Sequence, residues 1–193
     1  RDSFYSKAQQ YMEEGKLDEA RVEVRNAIKI DKEFGPGYVL LGKILERKKE
    51  WRKAFSFYNQ AIDLDPELIE AHLGLAKLYS MSGDNEKALE EVSFILERDP
   101  DHVQARIIKA LVLLRKDDQG GIEILKSLIE EDPELQEPYA LLADYYISRD
   151  QAQKGIEYYK KGLESNPDSN VLKFKLASVY LSEEKYDEAE PLY

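Results

Sequence analysis

Residues 37–66 read GYVLLGKILERKKEWRKAFSFYNQAIDLDP, and in them two apolar-periodic segments flank a charged centre. Leu41 and Leu45 are four residues apart in the first segment, and so are Ala54 and Tyr58 in the second. This spacing places both residues of a pair on one face of an α-helix. The closing proline ends the second segment, because the residue before a proline is pushed out of the helical region. These residues therefore predict two α-helices joined by a turn.

The same pattern recurs at a fixed spacing along the chain. Four prolines that each follow Asp or Asn stand 34, 33 and 34 residues apart, at Pro66, Pro100, Pro133 and Pro167. Such a period indicates a repeat protein in which each unit buries its apolar face against its neighbours. We divide the chain, as a single array, into repeats at about 1–34, 35–68, 69–102, 103–135 and 136–169, with a partial repeat at 170–193.

Three positions within the repeat are typical of close helix packing. The eighth position is small in every block: Ala8, Gly42, Ala76, Ala110, Ala143 and Ala177. The twentieth is also small, once a one-residue deletion in the fourth block is allowed: Ala20, Ala54, Ala88, Gly121, Gly155 and Ala189. The eleventh is large: Tyr11, Leu45, Tyr79, Leu113, Tyr146 and Tyr180. Small residues at matched places in both helical segments predict that the two helices approach each other closely there.

The second block resembles a tetratricopeptide repeat. It carries the family's aromatic–Leu–Gly–large–Ala–aromatic–Ala–Pro series at Tyr38, Leu41, Gly42, Leu45, Ala54, Tyr58, Ala61 and Pro66. The resemblance extends over the whole chain, although Lys32 replaces the proline of the first repeat. It implies an all-α fold, a right-handed α-solenoid of antiparallel helix pairs. The first helix of each repeat (helix A) then lines the concave face of a superhelix, and the second (helix B) forms the convex face.

The resemblance also implies ligand contacts from three positions of helix A. The fifth position gives Tyr5, Val39, Leu73, Ile107, Ala140 and Phe174. The ninth gives Gln9, Lys43, Lys77, Leu111, Asp144 and Ser178. The twelfth gives Met12, Glu46, Ser80, Leu114, Ile147 and Leu181. For position five two interpretations stay open, ligand contact or burial between adjacent A helices.

These residues predict a non-catalytic protein–protein interaction scaffold. Some family members clamp a peptide carboxylate with Lys at position five and Asn at position nine, and this chain has neither. We therefore expect a peptide or helix to bind in a concave, largely apolar groove with Lys43 and Lys77 on one wall. The alternative is a structural module that self-assembles into a homo-oligomer through exposed solenoid ends, because terminal repeats need polar caps.

Composition and missing motifs exclude several other classes of function. The net charge of -11 argues against nucleic-acid binding, and no apolar run is long enough to span a membrane. The chain has no cysteine, no phosphate-binding glycine loop and no nucleophile elbow, so we predict no enzyme and no cofactor. No metal site is expected either, because His72 and His102 lack convergent ligands, and His72 is predicted to be a partly buried structural residue.

A basic cluster lies around the turn of the second repeat: Arg47, Lys48, Lys49, Arg52 and Lys53. One interpretation is a contact for an acidic protein, a phosphate group or anionic lipid. The other, which we favour, is a solvated turn with local pairing to Glu46 and Glu50.

The context of the chain is predicted only broadly. It begins at Arg1 rather than Met, so we expect a fragment of a longer protein. Helix B of the first repeat resembles that of bacterial multi-repeat proteins, some of which are envelope proteins serving exopolysaccharide export and protein sorting. The expected location is therefore the cytoplasm or the bacterial periplasm and envelope.

Overall fold

The computed structural model describes residues 1–192, in which the chain forms twelve α-helices, one short 3-10 helix and no β-strand. The helices are α1 (Asp2–Glu13), α2 (Leu17–Ile30), α3 (Gly35–Arg47), α4 (Trp51–Leu64), α5 (Ile69–Ser82), α6 (Asn85–Arg98), α7 (Val103–Arg115), α8 (Gly120–Glu131), α9 (Gln136–Ile147), α10 (Ala152–Ser165), α11 (Asn170–Ser182) and α12 (Tyr186–Ala189), and the 3-10 helix is Glu190–Leu192. Odd-numbered helices are the A helices and even-numbered ones the B helices. The predicted all-α fold is confirmed.

Every A helix in residues 1–192 ends in the same left-handed turn. The fifteenth residue of each repeat has a positive φ between 57° and 83°: Gly15, Lys49, Gly83, Asp117, Asp150 and Glu184. The N–H of the next residue donates to the carbonyl of the large residue at position eleven, over 2.8 to 3.0 Å. This is the Schellman arrangement, which satisfies helix-end carbonyls and reverses the chain. The reversal after so short a turn sets helix B antiparallel to helix A.

The chain divides into two compact units, and the first comprises Arg1–Ile108. Its core contains the ring of Tyr58, which is fully buried between α3 and α5. A Cβ atom added at Gly42 would lie 2.6 Å from this ring, and one added at Gly74 would lie 2.5 Å from it. Glycine at both positions therefore lets two A helices close on one aromatic side chain of helix α4.

His72 lies in the same unit and has a structural role, as the sequence predicts. It is 8% exposed and stacks on Phe94 with the ring centroids 3.8 Å apart. Nδ1 lies 2.6 Å from a carboxylate oxygen of Glu91, and Nε2 lies 2.9 Å from the carbonyl oxygen of Pro66. Both ring nitrogens therefore lie within hydrogen-bond distance of a protein oxygen, and these contacts hold the ring in the core.

The second unit begins at Lys109, within α7. Its core includes Tyr159, Leu172, Leu176 and Tyr180. A Cβ atom added at Gly155 would lie 2.4 Å from Ile147 Cγ1 and 2.8 Å from the carbonyl oxygen of Ala143. The glycine at position twenty is thus required by the close packing of α10 on α9, as the small residues predict.

The left-handed turns predict a stabilising substitution at Glu184, which is exposed and has φ of 59°. Glycine adopts this conformation without the Cβ clash, so Glu184→Gly should raise the free energy of unfolding by about 0.5–1 kcal/mol in urea denaturation. Glu184→Ala is the matched control, because it keeps the Cβ atom and should give no gain. If both substitutions changed the free energy of unfolding equally, the left-handed conformation of residue 184 would be contradicted.

Candidate ligand-binding groove

The A helices of the first three repeats enclose a cavity of about 310 Å³ in the first unit, which we call the A-helix cavity. Its lining comes from α1, α3, α5 and the ring of α4: Met12, Lys43, Glu46, Arg47, Tyr58, Glu70, Leu73, Gly74 and Lys77. The site is therefore built by three successive A helices, and its floor is the same aromatic ring that the glycines of α3 and α5 enclose.

The floor of the cavity carries a fixed hydrogen bond. Tyr58 Oη donates to Glu46 Oε2 over 2.7 Å. Burial of the ring, helped by the nearby Glu46 carboxylate, raises the pKa of Tyr58, so the hydroxyl remains a neutral donor. The bond holds the Glu46 carboxylate at the cavity floor, with one of its oxygens already engaged.

The walls carry three cations, of which two are already engaged. Lys43 Nζ pairs with the Glu70 carboxylate across α3 and α5. Arg47 Nη1 donates to the backbone carbonyl of Met12 over 2.7 Å. Lys77 has no hydrogen bond or ion pair within residues 1–192. With three cations against the carboxylates of Glu46 and Glu70, the cavity holds one more positive than negative charge.

The structure brings together five of the predicted ligand-contact residues in this cavity: Met12, Lys43, Glu46, Leu73 and Lys77. Tyr5 is half-buried and meets Phe34 edge-on at 5.0 Å, whereas Gln9 is exposed. Neither lines the cavity. Tyr58, Glu70, Arg47 and Gly74 line it although the predicted set omits them. The sequence signal that could have identified Tyr58 as a cavity residue is the pair of glycines, Gly42 and Gly74, in the A helices before and after it.

A second cavity, of about 370 Å³, lies in the second unit between α9 and α11. Two predicted residues, Ala140 and Asp144, contribute to its lining. Asp144 accepts a hydrogen bond from Lys175 Nζ over 2.7 Å and another from Tyr159 Oη. Tyr159 occupies the repeat position of Tyr58, so each unit places a buried tyrosine hydroxyl on an A-helix carboxylate.

The remaining predicted residues differ in exposure. Val39, Ile107, Ala140 and Leu114 are between 2% and 7% exposed, and Ser80 is 5% exposed. Most residues at position five are therefore buried, which agrees with the second of the two interpretations given for that position. Phe174 is the exception at 62% exposed, and Ser178 beside it is also exposed. Leu111 and Ile147 are half-buried, and Leu181 is 42% exposed.

These positions change the expected chemistry of the groove. A largely apolar groove was predicted, but the A-helix cavity is lined mainly by charged side chains around the Tyr58 hydroxyl. The difference arises because apolar residues such as Val39 and Leu114 pack into the protein interior. A Leu114→Glu substitution would bury a carboxylate, so it tests folding rather than binding.

No metal site or membrane span emerges from the described residues. Residues 1–192 contain no group of three or more His, Asp or Glu side chains that could hold a metal ion. Within the same range, every helix is too short or too polar to cross a bilayer.

Paired helices repeated at this period, with a cavity between successive A helices, define a helical-repeat protein. Residues 45–112 and residues 136–169 each match a family model described as tetratricopeptide repeat. The chain therefore belongs to the tetratricopeptide repeat family. Members of this family generally serve as protein–protein interaction scaffolds and are typically non-enzymatic.

Solved structures support the same fold. A thermophilic tetratricopeptide repeat protein from Thermus thermophilus matches with a TM-score of 0.79 at 18% identity, over 93% of this chain and 98% of that one. The type IV pilus biogenesis factor PilW matches with a TM-score of 0.80 at 18% identity, over 98% and 90%. A tetratricopeptide repeat protein from Parabacteroides merdae matches with a TM-score of 0.69 at 19% identity, over 99% and 76%. No curated protein matches the sequence significantly.

Proposed function

We propose that the chain is a protein-interaction scaffold that binds a peptide segment in the A-helix cavity. The observation that supports this is the convergence of five residues at the family's ligand positions on one cavity, whose wall carries the unpaired ammonium group of Lys77. A cavity of about 310 Å³ suits one side chain and its adjoining backbone rather than a whole helix. The ligand is therefore an extended segment that inserts a single residue.

The inserted residue is acidic in this proposal. Lys43 pairs with Glu70, and the charges of Arg47 and Glu46 offset each other, so the cavity keeps one net positive charge. Lys77 is the cation without a partner in the described residues, so it is the one available to a ligand. An ammonium–carboxylate hydrogen bond is stronger than a neutral one, and partial enclosure by Leu73 and Met12 reduces its screening. The ligand's backbone N–H groups can donate to the free oxygen of Glu46. Charge on both partners thus sets the orientation of the peptide.

Reversing the charge of Lys77 tests the proposal. Peptides selected against the wild-type chain by display should be enriched in Asp or Glu, and Lys77→Glu should weaken their binding about tenfold or more in calorimetric titration. Lys29→Glu is the matched control, because Lys29 is exposed on α2 and outside the cavity. Peptides that bind the two variants equally well would contradict the proposed site.

A second function, self-association, is favoured by a separate observation. Four of the nine large apolar side chains that are exposed in residues 1–192 lie close together in sequence: Val171, Phe174, Leu181 and Tyr186. Exposed apolar side chains that form one contiguous surface are typical of an interface between protein chains. This function uses the last repeat rather than the A-helix cavity.

Sedimentation velocity at several protein concentrations tests the second function. Self-association through this group predicts a larger species as concentration rises, and Phe174→Ser should remove it, because the ring is 62% exposed and its loss leaves the core intact. Val22→Ser is the control, since Val22 is 57% exposed at the other end of the sequence. A single monomeric species at all concentrations would exclude self-association.

A further inference from the structure

The first unit has a mostly apolar concavity outside the A-helix cavity. The first turns of α4 and the last turn of α5 form a pocket of about 460 Å³, which we call the turn-edge pocket. Its lining is Trp51, Arg52, Phe55, Leu78, Tyr79, Met81 and Ser82. None of these residues lines the A-helix cavity, so the two sites are distinct.

The walls of the pocket are aromatic and its mouth is adaptable. The rings of Phe55 and Tyr79 meet edge-on with centroids 5.4 Å apart. Trp51 is 40% exposed and Met81 is 59% exposed, so two large apolar side chains border the opening. Methionine fills irregular space, and tryptophan supplies a large contact area at a small cost in conformational entropy. The pocket therefore suits a bulky apolar side chain.

One residue of the basic cluster, Arg52, lines this pocket, and only part of the cluster is paired. Lys48 Nζ bonds Asp18 over 2.8 Å, Lys53 pairs with Glu50, and Arg47 donates to a backbone carbonyl. Lys49 and Arg52 are exposed and have no hydrogen bond or ion pair from their side chains within residues 1–192. The expected local pairing thus occurs for Lys53, whereas the partners of Lys48 and Arg47 lie in the first repeat. Lys49 and Arg52 are solvated, and Arg52 is part of the pocket lining.

The charge of these two residues opposes that of the chain. The net charge is -11, so an acidic partner is repelled by most of the surface and attracted to a cationic rim. The apolar space between α4 and α5 is concave, which matches an inserted side chain better than the plane of a lipid bilayer. An apolar pocket with a cationic rim therefore suits a ligand that carries a bulky apolar side chain with acidic groups beside it.

We propose that the turn-edge pocket binds an acidic peptide segment of a partner protein by enclosing one bulky apolar side chain. Trp51, Phe55 and Met81 contact the anchor, and Arg52 and Lys49 bind carboxylates that flank it. This second site is independent of the A-helix cavity, and a scaffold that carries both can hold two segments of a partner at once.

Trp51 makes the proposal directly measurable, because it is the only tryptophan of the chain. The probe is a synthetic peptide with one central phenylalanine flanked on both sides by aspartates. Titration of the full chain should shift the Trp51 emission to shorter wavelength with a saturable curve, since the anchor displaces water from the indole. Replacing the phenylalanine by alanine should abolish the shift, and raising the salt concentration should weaken it.

Two variants and two controls test whether the emission shift arises from binding in the turn-edge pocket. Arg52→Glu should weaken binding about tenfold through charge, and Met81→Glu should do so by placing a carboxylate at the mouth. Both positions are exposed, so circular dichroism should stay that of the wild type. Lys29→Glu and Arg25→Glu, both on the exposed surface of α2, should leave the titration unchanged.

Three outcomes would overturn the proposal. Equal binding of the alanine peptide would mean that charge alone attracts the probe. An emission shift with vesicles of equal parts phosphatidylcholine and phosphatidylserine, without one for the peptide, would assign the surface to a membrane. A concentration-dependent shift of the protein alone, removed by Met81→Glu, would assign it to a second copy of the chain.

Discussion

The ring of Tyr58, enclosed between two A helices, is the contact on which the first unit depends. A tyrosine at this depth needs space on both sides, and the chain supplies it with glycine at Gly42 and Gly74. The same contact fixes the hydroxyl at the floor of the A-helix cavity, where it engages Glu46. Tyr58 thus contributes both to the packing of the core and to the chemistry of the candidate site. The second unit has the same kind of hydrogen bond, from the buried Tyr159 hydroxyl to the Asp144 carboxylate.

Two surfaces of the first unit differ in chemistry because they use different parts of the same helices. The cavity residues of α3 and α5 are mostly charged, and Lys43 and Glu70 pair across the two helices, which suits a polar, oriented ligand. The end of α5 and the start of α4 instead expose aromatic and aliphatic groups beside unpaired cations. An acidic chain with local cationic sites can discriminate among partners by charge as well as by shape.

Much of the fold was predictable from the sequence, because helix periodicity and the proline spacing are local signals. The helix pairs and the small residues at close contacts agree with the structure. Glycine favours the left-handed conformation at Gly15 and Gly83, but at Lys49 the antiparallel pairing of helices imposes it against residue preference. Sequence alone could not assign that conformation to a lysine.

The candidate site was only partly predictable, for physical reasons that concern neighbouring repeats. Lys43 and Lys77 lie in the cavity as their repeat positions indicate, but the pairing of Lys43 with Glu70 depends on a contact between helices. Leu114 occupies a ligand position of the repeat and yet is buried, because burial depends on the packing of its surroundings. The turn-edge pocket joins residues of two repeats and has no single motif.

A double-mutant cycle between Gly74 and Tyr58 tests the central contact most directly. Gly74→Ala alone should lower the free energy of unfolding by about 1–3 kcal/mol, because the new methyl group meets the ring. Tyr58→Leu removes the outer ring atoms, so in that background Gly74→Ala should cost much less or become stabilising through helix propensity. Equal costs in the two backgrounds would show that the residues do not interact and would contradict the central role of this contact.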